Sequence, residues 1–377
     1  MRFNKEHGND PHKKGAVYVP DKSFTERFIA GVKFIGAILL QIKIDVTSGG
    51  HLPLLSSIRA WKHGFSRWAY MLYALNSNDP NAYLSEYIHG HRRFRISSLY
   101  RYLLNNKLSF GQLMKQHTLL HPHIYALLNR GSAYLIESST FQEARKWLEA
   151  KLTEGERIVL KPVSGSKGKG LFFLERQDRT YIINGVERGP AGLWSLVKRL
   201  DDYIVTEYVK QAAYSRLLYP DTTNTIRLLT LWDYRCGEPF VAAAAHRIGT
   251  SRSFPVDNWL MGKGGLSAHI DLETGILGAG ATVYEGKRVL WHSLHPETKA
   301  QIEGVHVPRW SDLKQQAVAA ARLFPYTPEI GWDVVLTEEG WCILEANVTP
   351  GMYVLQVHGS LLNNPRVKRF YQAQGVL

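Results

Sequence analysis

The segment from Gly331 to Asn347 places the strongest constraint on what this chain can fold into. Two apolar runs flank the polar turn Thr337–Gly340, a pattern typical of a β-hairpin. Asp333 lies on the first predicted strand, and Glu345 and Asn347 lie two apart on the second, on one face. Two partly buried carboxylates would repel each other without a cation. These three oxygen ligands therefore predict a site for a hard cation such as Mg²⁺.

A second candidate site follows a short apolar strand predicted at Arg157–Lys161. Lys161 ends the strand, and the glycine-rich turn Gly165–Gly170, which also holds Lys167 and Lys169, comes next. Glycines let backbone N–H groups approach a polyphosphate closely, and lysines neutralise its charge. The turn is not a Walker A loop, because no helix opens with Gly-Lys-Ser/Thr. A solvated basic hairpin turn is the alternative, and the motif by itself leaves both open.

Together the two segments resemble the ATP-grasp superfamily. The end of the hairpin and the residues after it, Leu344–Met352, are similar to the corresponding stretch of D-alanine–D-alanine ligases. Further blocks follow in the order expected for the superfamily, and the resemblance covers roughly residues 105–355. These blocks are Asn106-Lys107 with Leu119–Pro122, the strand Ile204–Val209, and Arg227 in Asn224–Arg227.

Several stretches resemble one branch of the superfamily, described as sugar-transfer associated or α-L-glutamate-ligase related. They are Tyr219–Arg227, Val256–Asn258 with Gly262–Gly265, Ile270–Gly275, and His295-Pro296 with Pro308–Trp310. The chain also departs from the D-alanine–D-alanine ligases, which carry an arginine where this chain has Gly331. Arg227 or Arg247 is the candidate replacement. The segment Lys210–Ser215 offers no acid to hold a ribose.

The resemblance implies an α+β, ATP-grasp fold in which two lobes clamp ATP. The irregular alternation of predicted helices and strands likewise favours α+β with antiparallel sheets. We predict three regions: a helical, basic N-terminal region at 1–104, a lobe with the glycine-rich lid at 105–207, and a C-terminal lobe with the metal site at 208–377.

The implied activity is that of an ADP-forming, ATP- and Mg²⁺-dependent ligase, with Mn²⁺ as a second possible metal. A carboxylate would attack the γ-phosphate, and an amine would then attack the acyl phosphate to give an amide. The implied metal ligands are Asp333, Glu345 and Asn347. The implied ATP-binding residues are Lys107, Lys161, Ser164, Gly165, Ser166, Gly168 and Gly170, with Glu207, Tyr208 and Val209 around the adenine.

Three further residues would act on the reacting groups. Lys169 would close over the γ-phosphate, and Arg227 would stabilise the phosphoryl group in transfer. Arg247 would pair with a substrate carboxylate. A structural ion pair between Arg247 and Asp257 is the alternative, and the sequence does not decide between them.

The resemblance does not name the substrates. We expect a small-molecule carboxylate and an amine, for example an amino acid or a glycan intermediate of cell-surface polysaccharide or peptide synthesis. An ATP-grasp kinase and an inactive nucleotide-binding module remain as other functions. Nucleic-acid binding through residues 59–101 is not expected, since this segment shows no RRM, KH or OB signature.

The positive charge of the chain is uneven. The net charge is +13, of which residues 1–107 contribute +9 and the remaining residues +4. In the same region Phe28, Val32, Ile35, Leu39 and Ile42 recur at the spacing of an amphipathic helix. Such a helix either packs on the core or lies on an anionic membrane surface, with Lys33 and Lys43 near the headgroups.

Localisation follows from three weaker signals. The apolar run Phe28–Leu40 is too short and too charged to span a bilayer, and the N-terminal residues show no signal peptide. Cys236 and Cys342 form no CxxC pattern, and we predict that both are buried thiols. A cytoplasmic protein is expected, with peripheral contact at the inner membrane face as an open alternative.

Overall fold

The structure is a computed structural model that describes residues 24–47, 52–97, 100–153, 156–165, 168–259, 264–284 and 288–377. Within these ranges two antiparallel sheets dominate, one of eight strands and one of seven. Helices cover both sheets, so that the predicted α+β class is confirmed.

Helices make up the beginning of the described chain. They are α1 (Phe24–Thr47), α2 (Leu54–Lys62), α3 (Arg67–Leu72), α4 (Glu86–Ile96), α5 (Arg101–Asn105) and α6 (Lys107–Gln116), with a 3-10 turn at Pro80–Ala82. The helical pattern predicted over Leu54–Leu75 is broken at Gly64, which has φ of +76°. A side chain there would meet Ser85 and Ile88, so the tight turn between α2 and α3 requires glycine.

The eight-stranded sheet has the order β3-β2-β1-β8-β4-β5-β6-β7. Its core is shared with helices α7 (Ala144–Lys151) and α8 (Pro190–Val197). The strands are β1 (Ile124–Asn129), β2 (Ser132–Leu135), β3 (Thr140–Glu143), β4 (Arg157–Pro162), β5 (Phe172–Gln177), β6 (Thr180–Ile183), β7 (Val186–Arg188) and β8 (Tyr203–Glu207).

One helix prediction in this sheet is wrong at its start. The pattern of Phe141–Ala150 predicted a helix capped by Ser139 or Thr140, but the helix begins at Ala144. Thr140–Glu143 instead forms the edge strand β3, which pairs with β2. Pairing in the hairpin with the preceding strand β2 outweighs the helical pattern of these residues.

The seven-stranded sheet has the order β13-β12-β11-β10-β9-β14-β15. Helices lie on both faces, with α6 and α10 (Trp310–Arg322) on one and α4, α11 (Tyr353–Gln356) and α12 (Pro365–Ala373) on the other. A short helix α9 (Ala213–Leu218) precedes the sheet. The strands are β9 (Ile226–Asp233), β10 (Glu238–Ile248), β11 (Leu266–Ile270), β12 (Leu277–Tyr284), β13 (Arg288–His292), β14 (Glu329–Leu336) and β15 (Trp341–Asn347).

The N-terminal helices are fixed to this second sheet by a buried polar contact. His89 of α4 places Nε2 3.0 and 3.1 Å from the two carboxylate oxygens of Glu329 on β14. The hydroxyl of Tyr371 on α12 donates to the same carboxylate at 2.6 Å. Elements from both ends of the chain therefore share one core with the sheet.

One prediction about burial is wrong, and for helix α1 the exposed side chains oppose one of the two alternatives. Cys342 is buried, but Cys236 is exposed in the turn after β9. Helix α1 forms as predicted, yet Val32, Ile35 and Leu39 are exposed, so its apolar stripe does not pack on the core. The side chains of Phe28 and Lys33 lie outside the described residues.

Candidate functional site

One cavity of about 700 Å³ lies where the two sheets meet. Its volume is in the usual range for small-molecule sites. The sequence-predicted residues that line it are Lys107, Lys161, Ser164, Gly165, Gly168, Lys169, Glu207, Tyr208, Val209, Arg227, Arg247, Asp333, Glu345 and Asn347. Gly170 does not line the cavity, and Ser166 lies outside the described residues.

The predicted hairpin supplies the acidic end of the cavity. Strands β14 and β15 pair with Asp333 opposite Glu345, and Gly331 opposite Asn347. The amide of Asn347 donates to the carboxylate of Glu345 at 3.3 Å. The three predicted metal ligands therefore lie side by side, as the alternation of side chains along a strand requires.

Two arginines neutralise Asp333. Arg227 lies opposite it on β9 and donates from Nε at 2.6 Å and from Nη2 at 3.1 Å. Arg247 of β10 places Nη2 3.1 Å from the same carboxylate. Burial alone would raise the pKa of Asp333, but the two guanidinium charges outweigh it and lower that pKa below its usual range.

Arg247 is itself held by a second acid. Its Nε lies 3.5 Å from the carboxylate of Asp257, and its guanidinium donates to the Thr225 hydroxyl. Asp257 also accepts a hydrogen bond from the backbone N–H of Thr225 at 2.8 Å. The structure thus contains the ion pair that was the alternative for Arg247, and no substrate is needed to hold the guanidinium in place.

The surroundings of Gly331 explain why no arginine fits at this position. A Cβ atom added to Gly331 would lie 2.5 Å from Cβ of Pro350 and 3.5 Å from Cδ of Arg227. Pro350 leaves no room for a side chain at this position, and the stem of Arg227 runs alongside it. Arg227 on the neighbouring strand β9 brings a guanidinium group to this side of the cavity.

The opposite wall of the cavity carries two buried lysines. Lys161 ends β4 within the sheet, and burial lowers its pKa to about 8, although the charge of Glu345 opposes this shift. Lys107 begins α6, where it donates to the carbonyl of Gly165 at 2.9 Å and lies 3.7 Å from Glu345. Two buried cations this close to glycine backbone form a suitable anion site.

The acidic end would accept a divalent cation. Burial and then the charge of Asp333 raise the pKa of Glu345, which shows that negative charge there is incompletely compensated. Among the described residues, no group of three or more His, Cys, Asp and Glu side chains could hold a metal. The donor set would therefore consist of two carboxylates, the amide of Asn347 and oxygens of a bound ligand, as is usual for Mg²⁺.

The residues at the end of β8 line the cavity beside apolar side chains such as Phe173 and Leu344. The carboxylate of Glu207 is fixed by the backbone N–H of His123 at 2.9 Å. The ring of Tyr208 packs edge-on against Phe173, with the guanidinium of Arg157 4.8 Å from its centre.

Sequence reasoning missed several lining residues. Trp259 and Tyr353 extend the wall beyond the arginines, and the indole N–H of Trp259 is fixed by the carbonyl of Ala281 at 2.7 Å. Both resemble core aromatics in the sequence, and nothing local distinguishes them. Asp221, an exposed acid beside Tyr208 in an adjoining small cavity, was also missed, because it lies beyond the segment where a ribose ligand was expected.

Comparison with known proteins decides the family. A family model described as sugar-transfer associated ATP-grasp matches residues 85–371. The chain belongs to this family. Family membership confirms the predicted ATP-grasp fold and the predicted branch. A search of the curated proteins found no match.

Solved structures of ATP-grasp proteins are also similar. The ligase PsnB, complexed with a phosphomimetic precursor variant, Mg and ADP, matches at 13% identity and a TM-score of 0.39, over 74% of this chain and 60% of PsnB. The ADP complex of N5-carboxyaminoimidazole ribonucleotide synthetase matches at 13% identity and a TM-score of 0.36, over 70% of this chain and 48% of the synthetase. D-alanine–D-alanine ligase from Bacillus anthracis matches at 12% identity and a TM-score of 0.38, over 74% of this chain and 71% of the ligase. The chain thus spans about half to three fifths of the first two structures.

Proposed function

We propose that this member of the family is an ATP- and Mg²⁺-dependent ligase that joins a carboxylate to an amine through an acyl phosphate. The observation that carries the proposal is the convergence of two buried lysines, a glycine-rich loop and paired acids on one cavity. Phosphoryl transfer depends mainly on positioning and charge, and this cavity supplies both.

The lysine wall would bind the nucleotide. Lys107 and Lys161 would hold the α- and β-phosphates, and Lys169 would close over the γ-phosphate. The lid residues Ser164, Gly165, Ser166, Gly168 and Gly170 would offer backbone N–H groups and the freedom to turn. The backbone of Glu207, Tyr208 and Val209 would hold the adenine, and Asp221 is our candidate for the ribose hydroxyls.

The reaction would then proceed in two balanced steps. A carboxylate oxygen bonds to the γ-phosphorus as the bond to ADP breaks, and the amine then displaces phosphate from the acyl carbon and loses a proton. When bound by Asp333, Glu345 and Asn347, Mg²⁺ would neutralise phosphate charge. Arg227 and Arg247, which Asp333 already positions, would stabilise the transferring group.

The proposed substrates are small molecules, such as an amino acid and a glycan intermediate of cell-surface polysaccharide or peptide synthesis. The description of the family supports a link with sugar chemistry. We place the reaction in the cytoplasm, where ATP and Mg²⁺ are available. Peripheral contact with the inner membrane face is a separate proposal that concerns helix α1.

Hydroxylamine trapping tests the reaction. The protein is incubated with ATP, Mg²⁺, hydroxylamine and a panel of carboxylates, and an acyl phosphate is converted to a hydroxamate. We expect hydroxamate with at least one carboxylate. ADP formation with a phosphorylated alcohol and no hydroxamate would show a kinase, and nucleotide binding without any turnover would show a binding module.

A further inference from the structure

Helix α1 is apolar on more sides than the protein covers. Its C-terminal end is docked, because the buried carboxylate of Asp45 accepts hydrogen bonds from the Trp61 indole at 2.8 Å and from the backbone N–H of Arg67 at 3.0 Å. On the other side of the helix, the described apolar side chains face solvent. Six apolar residues there are 46% to 60% exposed, namely Val32, Ile35, Leu39, Leu40, Ile44 and Val46.

Helix α2, which the Trp61–Asp45 contact joins to α1, also has exposed apolar residues. Ser57 and Ala60 are buried against the core, whereas three apolar residues on the other side, Leu54, Leu55 and Ile58, are 50% to 81% exposed. The same side ends in the cations Arg59 and Lys62, both exposed. We call these nine apolar residues of α1 and α2 the α1–α2 surface.

Monomeric proteins seldom leave so many large apolar side chains together in water. The nine exposed apolar residues of the α1–α2 surface are therefore suited to contact something other than solvent. None of the described helices is long and apolar enough to cross a membrane.

Charge indicates what covers the surface. Lys43 follows Leu39 by four residues, so that it lies within the exposed stripe. Residues 1–107 carry a net charge of +9. A second copy of the chain would bring the same positive charge to the contact and would be repelled, whereas an anionic surface would be attracted.

We propose that the α1–α2 surface docks on an anionic lipid bilayer, with both helices lying in the headgroup region. Apolar side chains at the boundary of the acyl chains and cations among the headgroups are the usual composition of an interfacial helix. This inference is independent of the proposed ligase activity, because it uses no residue of the cavity.

Vesicle co-sedimentation of the full chain tests the proposal. We expect binding to vesicles of phosphatidylglycerol and phosphatidylcholine, weaker binding to phosphatidylcholine alone, and release by salt. Leu39→Glu and Leu55→Glu should each lower the partition coefficient about tenfold or more. Lys43→Glu should lower it at least about fivefold on the anionic vesicles only.

Matched controls separate docking from general effects. Leu217→Glu changes a leucine that is 73% exposed on α9, and Lys368→Glu changes an exposed lysine on α12. Neither should alter vesicle binding, and all variants should keep the melting temperature and ATP affinity of the parent. No binding of the parent to anionic vesicles, or equal losses in the controls, would overturn the proposal. Sedimentation velocity that shows a dimer broken by Leu39→Glu, without vesicle binding, would also overturn it, since a second copy would then cover the surface.

Discussion

The buried charges on the two walls of the cavity differ in how far neighbouring groups compensate them. On the acidic wall, Asp333 is already matched by Arg227 and Arg247. On the lysine wall, burial of Lys161 is so incompletely compensated that its pKa falls to about 8. Asp333 is thus held in place in the absence of ligand, whereas the ammonium of Lys161 gains its full compensation only from an incoming anion. Changes on the two walls should therefore separate stability from binding.

The largest effect is expected for Asp333→Ala. The substitution leaves the buried guanidinium of Arg227 without its carboxylate and Arg247 with Asp257 alone, and breaking a buried pair in this way costs about 3–5 kcal/mol. We expect a loss of that size in the free energy of unfolding, measured with denaturant, together with loss of turnover.

Glu345→Ala is the matched control on the same wall. Burial and the charge of Asp333 raise the pKa of Glu345, so its removal relieves a repulsion, which offsets the loss of its 3.7 Å contact with Lys107. We expect turnover to be lost with little change in unfolding free energy. Retained turnover in either variant would contradict the metal assignment, and equal destabilisation by both would contradict the asymmetry within the wall.

Lys161→Ala should affect binding and leave the fold intact. A charge-assisted hydrogen bond to a phosphate contributes about 1.5–3 kcal/mol, so we expect ATP affinity to fall about tenfold to a hundredfold in calorimetry. Stability should be unchanged or higher, because a buried ammonium is removed. The exposed Lys198→Ala is the control, and an ATP affinity as high as that control would rule out contact of Lys161 with the nucleotide.

Gly331→Ala should have a smaller effect, on the acidic wall alone. The added Cβ would meet Pro350 at 2.5 Å, and overpacking of this kind costs about 1–3 kcal/mol. Gly165→Ala is the control in the lid, because its Cβ would lie at an ordinary 3.6 Å from Pro162. We expect a lower melting temperature for the first variant only. An unchanged melting temperature would show that β14 moves easily and that the acidic wall is not rigid.

The smallest effect is a pH dependence of the lysine wall. Folding lowers the pKa of Lys161 from 10.5 to about 8, so its contribution destabilises the fold most below pH 8 and is relieved as the pH rises to 10.5. ATP affinity should change in the opposite direction and decline above pH 8, as the ammonium loses its proton. Calorimetry at several pH values measures this, and Lys161→Arg should flatten the profile. A parent profile as flat as that of the arginine variant would contradict an uncompensated lysine.

The parts of the site that local sequence determines were predictable. Asp333, Glu345 and Asn347 share one hairpin, so strand alternation alone placed their side chains together. Lys161 and its loop are contiguous in the chain. The family resemblance then supplied the order of the blocks, which the match over residues 85–371 confirms.

The remaining features depend on contacts between distant segments. Pairing of β9 with β14 brings Arg227 to Asp333, and no spacing in the sequence indicates that register. The exposure of α1 was also unpredictable, because an apolar stripe has the same spacing whether it is covered or bare. The strand at Thr140–Glu143 is a different case, because its partner β2 is close in the chain and the helical pattern of its residues concealed the hairpin.

Transfer of an oxygen isotope tests the proposed reaction most directly. If the carboxylate is activated as proposed, one of its oxygens becomes part of the acyl phosphate and leaves with the phosphate. The protein is incubated with ATP, Mg²⁺, an amine and amino acids labelled with ¹⁸O in the carboxyl group, and the phosphate is analysed by mass spectrometry. We predict released phosphate that carries one ¹⁸O atom for each amide formed. Amide formation with entirely unlabelled phosphate would contradict activation through an acyl phosphate.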